Sequence, residues 1–115
     1  MKLPTEKQMA KNIDLVRKLV SQYISQLKNC GISVERAILY GSFAKGYATE
    51  FSDIDFAVIS KNFSGERFND RRKIIPLRRS IDERLEPMPF LPEDFHEGNP
   101  LAAEIMAHGI EIEVP

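Results

Sequence analysis

Apolar residues recur at helical spacing over the first quarter of the chain. Met9, Ile13, Val16, Val20, Tyr23, Ile24 and Leu27 fall on one face when residues 5–29 are wound as an α-helix. Thr5 and Gln8 stand at capping-box spacing, so each can satisfy a backbone donor of the first turn. Gly31 ends the helix, because glycine enters the left-handed closing conformation at little cost. The pattern then changes period. Val34–Tyr40 and Phe51–Ile59 read as strands, and the polar turn 48–50 between them predicts antiparallel neighbours. A second helix is predicted over Gly65–Glu83, with Ser64 as N-cap and a kink or break near Lys73–Ile75, where Pro76 removes a donor and crowds the preceding turn. Leu85–Phe90 is a third strand, and Pro87 and Pro89 make it short or place it at an edge. Asn99-Pro100 opens a last helix, N-cap followed by N1 proline, which runs to His108 and stops at Gly109. Ile110–Val114 alternates apolar and acidic residues, the mark of a half-exposed strand.

Composition adds limits. The 115 residues suit a single domain, residues 1–115, with one apolar core and no room for a second lobe. A net charge of −1 argues neither for nor against nucleic acid. Cys30 stands alone, so no internal disulfide can form, and its place is a helix end or small core site. One Cys and two His without motif spacing do not make a zinc site. No apolar run reaches the roughly 20 residues that span a bilayer. The first residues lack the apolar stretch of a signal peptide, so the expected compartment is the cytoplasm.

The chemistry lies in Gly41-Ser42 and Ser52-Asp53-Ile54-Asp55-Phe56. On a strand Asp53 and Asp55 face the same side, with backbones roughly 7 Å apart. Ile54, Phe56 and Val58 face the other side and anchor the strand in the core. Two carboxylates so placed can share hard cations such as Mg²⁺, completed by phosphate and water. Upstream, Gly41 lets backbone approach a ligand closely, and amides at a helix start plus the Ser42 hydroxyl suit a phosphate. Lys45 either adds positive charge there or is simply solvated. Two metals beside a phosphate cradle describe phosphoryl or nucleotidyl transfer.

Gly41-Ser42, ten residues, then Asp53-x-Asp55 resembles the signature of the DNA polymerase β-like nucleotidyltransferase superfamily. The chain length resembles its minimal branch, the MNT domains paired with HEPN toxins. The resemblance implies an α/β (α+β) fold, a mixed, mostly antiparallel sheet with helices mainly on one face. It implies a nucleoside triphosphate donor, ATP, with two Mg²⁺ ions on Asp53 and Asp55 and the triphosphate on Gly41, Ser42 and Lys45. It implies a third carboxylate from a later strand, completing one metal site and helping to deprotonate the acceptor. Glu86 is the best match, one methylene longer than the aspartate common there, and Asp82 is the fallback, expected in the last helical turn. Lys45 stands where relatives often carry Arg, a partial substitute. The acceptor implied is a protein hydroxyl, with a tyrosine of a cognate HEPN toxin as candidate, which would make the chain an antitoxin. The small size predicts that a hetero-complex or homodimer completes the acceptor site.

Structural readings stand beside these. Glu86 can be an edge-strand glutamate paired with Arg84 or another base. The basic run Arg67, Arg71, Arg72, Lys73, Arg78, Arg79 and Arg84, partly offset by Asp70, Asp82 and Glu83, is either a solvated face or a docking surface for an acidic partner or RNA backbone. Phe68 is the sole aromatic within it, which argues against base stacking. His108 sits near a helix C-terminus and suits the dipole better than a metal. The rivals to a protein-modifying enzyme are a non-catalytic nucleotide-binding or partner-neutralising module and, last, a small-molecule nucleotidyltransferase of the aminoglycoside type.

Overall fold

The computed structural model describes residues 5–115, and side chains for all of these except 6–11. The Met9 and Gln8 side chains, and with them the packing of Met9 and the Thr5–Gln8 capping box, therefore lie outside what is described. Helix α1 spans Glu6–Asn29 and closes in a Schellman turn: the Ile32 amide donates to the Leu27 carbonyl at 2.9 Å and the Gly31 amide to the Lys28 carbonyl at 3.0 Å. Gly31 takes φ +87°, which the motif requires. Cys30 is exposed at this helix end.

Among the described residues one sheet forms, in the order β3-β2-β1-β4, from β1 (Arg36–Leu39), β2 (Ile54–Ile59), β3 (Leu85–Phe90) and β4 (Ile110–Ile112). β1 pairs antiparallel with β2, as the polar turn 48–50 between them predicts, and antiparallel with β4 on its other side. β3 runs parallel to β2 at the sheet edge, where its two prolines are tolerated.

The two sheet faces bury different sets. Ala37, Leu39, Ile54, Phe56, Val58 and Leu85 pack against Val16, Val20, Tyr23 and Leu27 of α1. Burying each of the Val, Leu, Ile and Phe side chains among them contributes about 1.5–3 kcal/mol. Ile38, Ala57, Ile59 and Phe90 face the other way, against Phe95 and Ala102 and Ile105 of the C-terminal helix α4 (Pro100–His108). The larger helical cover thus lies on one face, and α4 closes only part of the other. Asn99 caps α4, its side chain accepting from the Leu101 and Ala102 amides.

The second helix breaks where Pro76 demands. Helix α3 (counting the short α2, Gly41–Lys45) covers Arg67–Ile74 and passes into a 3₁₀ segment, Ile75–Ser80. Its N-cap is Glu66, whose carboxylate accepts from the Asn69 amide at 2.8 Å, and not Ser64. Ser64 is drawn aside by Asp70, which turns inward, is buried, and accepts from the Ser64 amide and hydroxyl and the Gly65 amide. Asp70 is therefore occupied with the loop, and it forms no ion pair with the arginines among the described residues. At the break the buried Tyr23 hydroxyl donates to the Ile74 carbonyl.

Candidate active site

β1 ends at Leu39, Tyr40 follows in extended conformation, and the chain turns directly into α2 at Gly41. No side chain caps this first turn. Gly41 has φ +70°, and a Cβ built on it would stand 2.5 Å from Asp55 Oδ2. The turn is therefore pressed against the Asp55 carboxylate, an approach open only to glycine. The Tyr40 amide donates to the Asp55 carbonyl at 2.8 Å, fastening turn and strand together.

A second turn delivers Asp53. The Thr49 amide donates to the Ser52 hydroxyl at 2.8 Å, the Phe51 amide to the Thr49 hydroxyl at 3.2 Å and the Ser52 amide to the Thr49 carbonyl at 3.1 Å. This knot occupies the residues in which the sequence pattern starts the strand, so β2 begins at Ile54. Asp53 stands exposed one residue ahead of it, and Asp55 is half-buried within it.

The parallel register sets Glu86 of β3 beside Asp55. Burial first, then Asp53, then Glu86 raise the Asp55 carboxyl above its ordinary value of 3.8, against Arg71, which lowers it. The three predicted acids are thus gathered around one spot, with their repulsion converging on Asp55. Tyr40 belongs to the same spot: burial, and after it Asp55, push its phenol up to about 12, opposed by Arg71 and Arg67. No motif marks Tyr40; its one signal in the sequence is its position before Gly41.

Glu86 is also held by cations. Arg78 Nη1 donates to its Oε1 at 2.8 Å, and Arg71 Nη2 donates to its Oε2. Arg84 is not its partner, because that guanidinium lies 3.0 Å from Asp82 and donates to the Glu50 carbonyl. Asp82 is committed there, in the turn before β3, its carboxyl held below the usual range chiefly by the hydrogen bond from Arg84. Lys45, at the end of α2, is exposed and lies 3.3 Å from Glu104 of α4.

Beside Glu86 opens a groove of about 760 Å³, lined by Arg67, Arg71, Arg72 and Arg78 with Phe68 and Pro76 among its apolar parts. Arg72 stacks over the exposed Phe68 ring at 5.9 Å, and Arg67 over Phe90 at 5.5 Å. The basic run is thus not one solvated face.

Among the described residues no three His, Cys, Asp or Glu side chains form a ready cage for a metal ion. The acids make an open, all-oxygen set instead, short of positive charge at Asp55 and pressed by a bare glycine turn. That donor chemistry fits Mg²⁺, which keeps water and phosphate in its shell. No helix among the described residues is long and apolar enough to cross a membrane.

Comparison with known proteins bears on the fold and the family. A solved structure from Sulfolobus solfataricus, titled a "putative nucleotidyltransferase", superposes with a TM-score of 0.64 over 96% of this chain and 90% of that one, at 16% identity, a likeness of fold. A curated Methanocaldococcus jannaschii protein named "Putative protein adenylyltransferase" is 34% identical over 62 residues. That match covers 53% of this chain and 42% of the relative, so the chain spans less than half of that protein's length in the match. The family model described as "Polymerase beta, Nucleotidyltransferase" matches residues 20–113. With both carboxylate strands and the Gly41 turn inside that match, the chain belongs to the polymerase β-like nucleotidyltransferase family.

Proposed function

We propose that the chain is a Mg²⁺-dependent nucleotidyltransferase that moves AMP from ATP to a hydroxyl of a protein. The observation that carries this reading is the half-buried Asp55, crowded by Asp53 and Glu86 and pressed against the Gly41 turn. A site that concentrates carboxylates around one half-buried acid is built for something positive. Asp53 and Asp55 would hold two Mg²⁺ ions, and Glu86 would complete one of the sites. The bound metal would supply charge neutralisation for the phosphates.

The chain's own residues do the rest. The Gly41 and Ser42 backbone and the Ser42 hydroxyl receive the triphosphate, with Lys45 near enough in sequence to add charge. The acceptor oxygen forms a bond to the α-phosphorus, the bond from that phosphorus to the bridging oxygen breaks, and pyrophosphate leaves. The acceptor proton passes to a carboxylate, for which Glu86 is the candidate. Catalysis of this kind is positioning and charge compensation.

A protein acceptor is favoured by the named activity of the Methanocaldococcus relative, and the resemblance to MNT domains suggests a tyrosine of a HEPN-type partner. On that reading the chain acts as an antitoxin, and its partner or a second copy completes the acceptor site. The test is incubation with α-labelled ATP, Mg²⁺ and the product of the neighbouring gene. Label should move to the partner, and Asp53→Ala or Asp55→Ala should abolish it. A tight complex with no transfer, indifferent to both changes, would replace the enzyme by a binding module. The clamp of Arg71 and Arg78 on Glu86 is the observation that favours that second reading.

A further inference from the structure

We infer that the arginine groove beside Glu86 is the acceptor subsite and takes an acidic protein segment carrying a tyrosine. This inference rests on the transfer reading above and names its substrate class. In-line displacement puts acceptor and leaving group on opposite sides of the α-phosphorus. The sheet order is β3-β2-β1-β4, so the β2 carboxylates stand between the Gly41 turn, which follows β1, and the groove, which flanks β3. If pyrophosphate leaves on the turn side, the acceptor enters on the groove side.

The lining states the chemistry of what enters. Four guanidiniums line it with the carboxylates of Glu66 and Glu86; Arg71 and Arg78 are paired with Glu86, and the excess positive charge rests on Arg67 and Arg72, which form no ion pair among the described residues. Arginine forks match carboxylates in paired geometry. Arg71 and Arg78 are turned to Glu86, and Arg78 Nε also lies 3.6 Å from Glu83, so the forks open to an incoming carboxylate are those of the exposed Arg67 and Arg72. Phe68 is 69% exposed, and with Ile75 and Pro76 it offers an apolar surface suited to a phenol ring. A nucleic-acid strand fits less well. Phe68 is the one aromatic ring in the lining, and a single ring is not a stacking platform for bases.

The experiment is fluorescence anisotropy of the full chain with labelled Glu-Glu-Tyr-Glu-Glu, Lys-Lys-Tyr-Lys-Lys and a short single-stranded RNA of mixed sequence. The acidic peptide should bind at least about tenfold more tightly than either other probe. Arg72→Glu and Arg67→Glu, both at exposed positions, should together weaken it by about tenfold or more without changing affinity for a fluorescent ATP analogue. Equal binding of the two peptides, preference for the RNA, or indifference to the charge reversals overturns the proposal. An Asp53→Asn, Asp55→Asn double variant separates this outcome from the transfer reading. Peptide binding retained while wild-type protein transfers nothing leaves the groove standing and removes the enzyme. Transfer to the peptides without charge preference removes the groove and leaves the enzyme.

Discussion

Asp55 and Glu86 are lateral neighbours in the parallel ladder of β2 and β3, yet their surroundings are opposite. Glu86 is neutralised by Arg71 and Arg78, while Asp55 is half-buried between two other acids. The site therefore stores its electrostatic cost at Asp55.

That cost predicts a stability gain at the expense of activity. The folded Asp55 carboxyl titrates above its unfolded value, so the native state holds the proton more tightly there. Its contribution is present at acid pH and is lost as pH rises from the unfolded value of about 3.8 through the folded one. In metal-free buffer Asp55→Asn should raise Tm at neutral pH, and its advantage over wild type should shrink below about pH 4. Mg²⁺ should raise the Tm of the wild type and leave the variant unmoved. Thermal melts across pH, with and without the ion, check both.

Gly41→Ala should silence the site. Left-handed φ costs a non-glycine residue about 1–2 kcal/mol. The new methyl would also meet Asp55 Oδ2 at 2.5 Å, so the strand or the turn must shift. Transfer should fall by about a hundredfold or more, since such a displacement misaligns reacting groups. Circular dichroism should show the fold intact, and labelled-ATP assays would read the loss.

Lys45 and Glu104 form an exposed pair, 42% and 52% accessible at their side chains. Such pairs contribute about 0–1 kcal/mol, so either partner removed should change Tm by at most a few degrees. A phosphate role for Lys45 would show elsewhere: Lys45→Ala should raise the KM for ATP, whereas Glu104→Gln should not. Steady-state kinetics on the two variants separate the roles.

Tyr23→Phe should weaken the fold without touching chemistry. It strips the buried Ile74 carbonyl of its donor where α3 gives way to the 3₁₀ segment. An unsatisfied buried group of this kind costs about 1–3 kcal/mol. A melt should show Tm lower by roughly 4–8 °C per kcal/mol, with kcat at low temperature preserved.

Much of this was legible before any tertiary contact. The limits of β3 and α4 and the break ahead of Pro76 follow from proline and asparagine chemistry within a few residues. The antiparallel pairing of the first two strands follows from the polar turn at 48–50 that reverses the chain between them. Misplacements arose where side chains act over a slightly longer range. Ser64 loses the cap of α3 to Glu66 because Asp70 claims it, and the hydroxyl knot of Thr49 and Ser52 delays the start of β2. Neither interaction has a pattern of its own.

Local spacing alone determined the apolar face of the first helix, the core side of Ile54, Phe56 and Val58, and where the glycine turn falls. Those facts depend on backbone periodicity, which a short stretch of chain carries within itself. The tertiary structure decided that β3 lies parallel to β2 with Glu86 beside Asp55, and that Tyr40 shares their site. It also decided that Arg71 and Arg78, rather than Arg84, hold Glu86. Charges carry no periodicity that names a distant partner. Which cation meets which acid is settled only when burial of the apolar faces has fixed the register of the strands and the angle of the helix beside them.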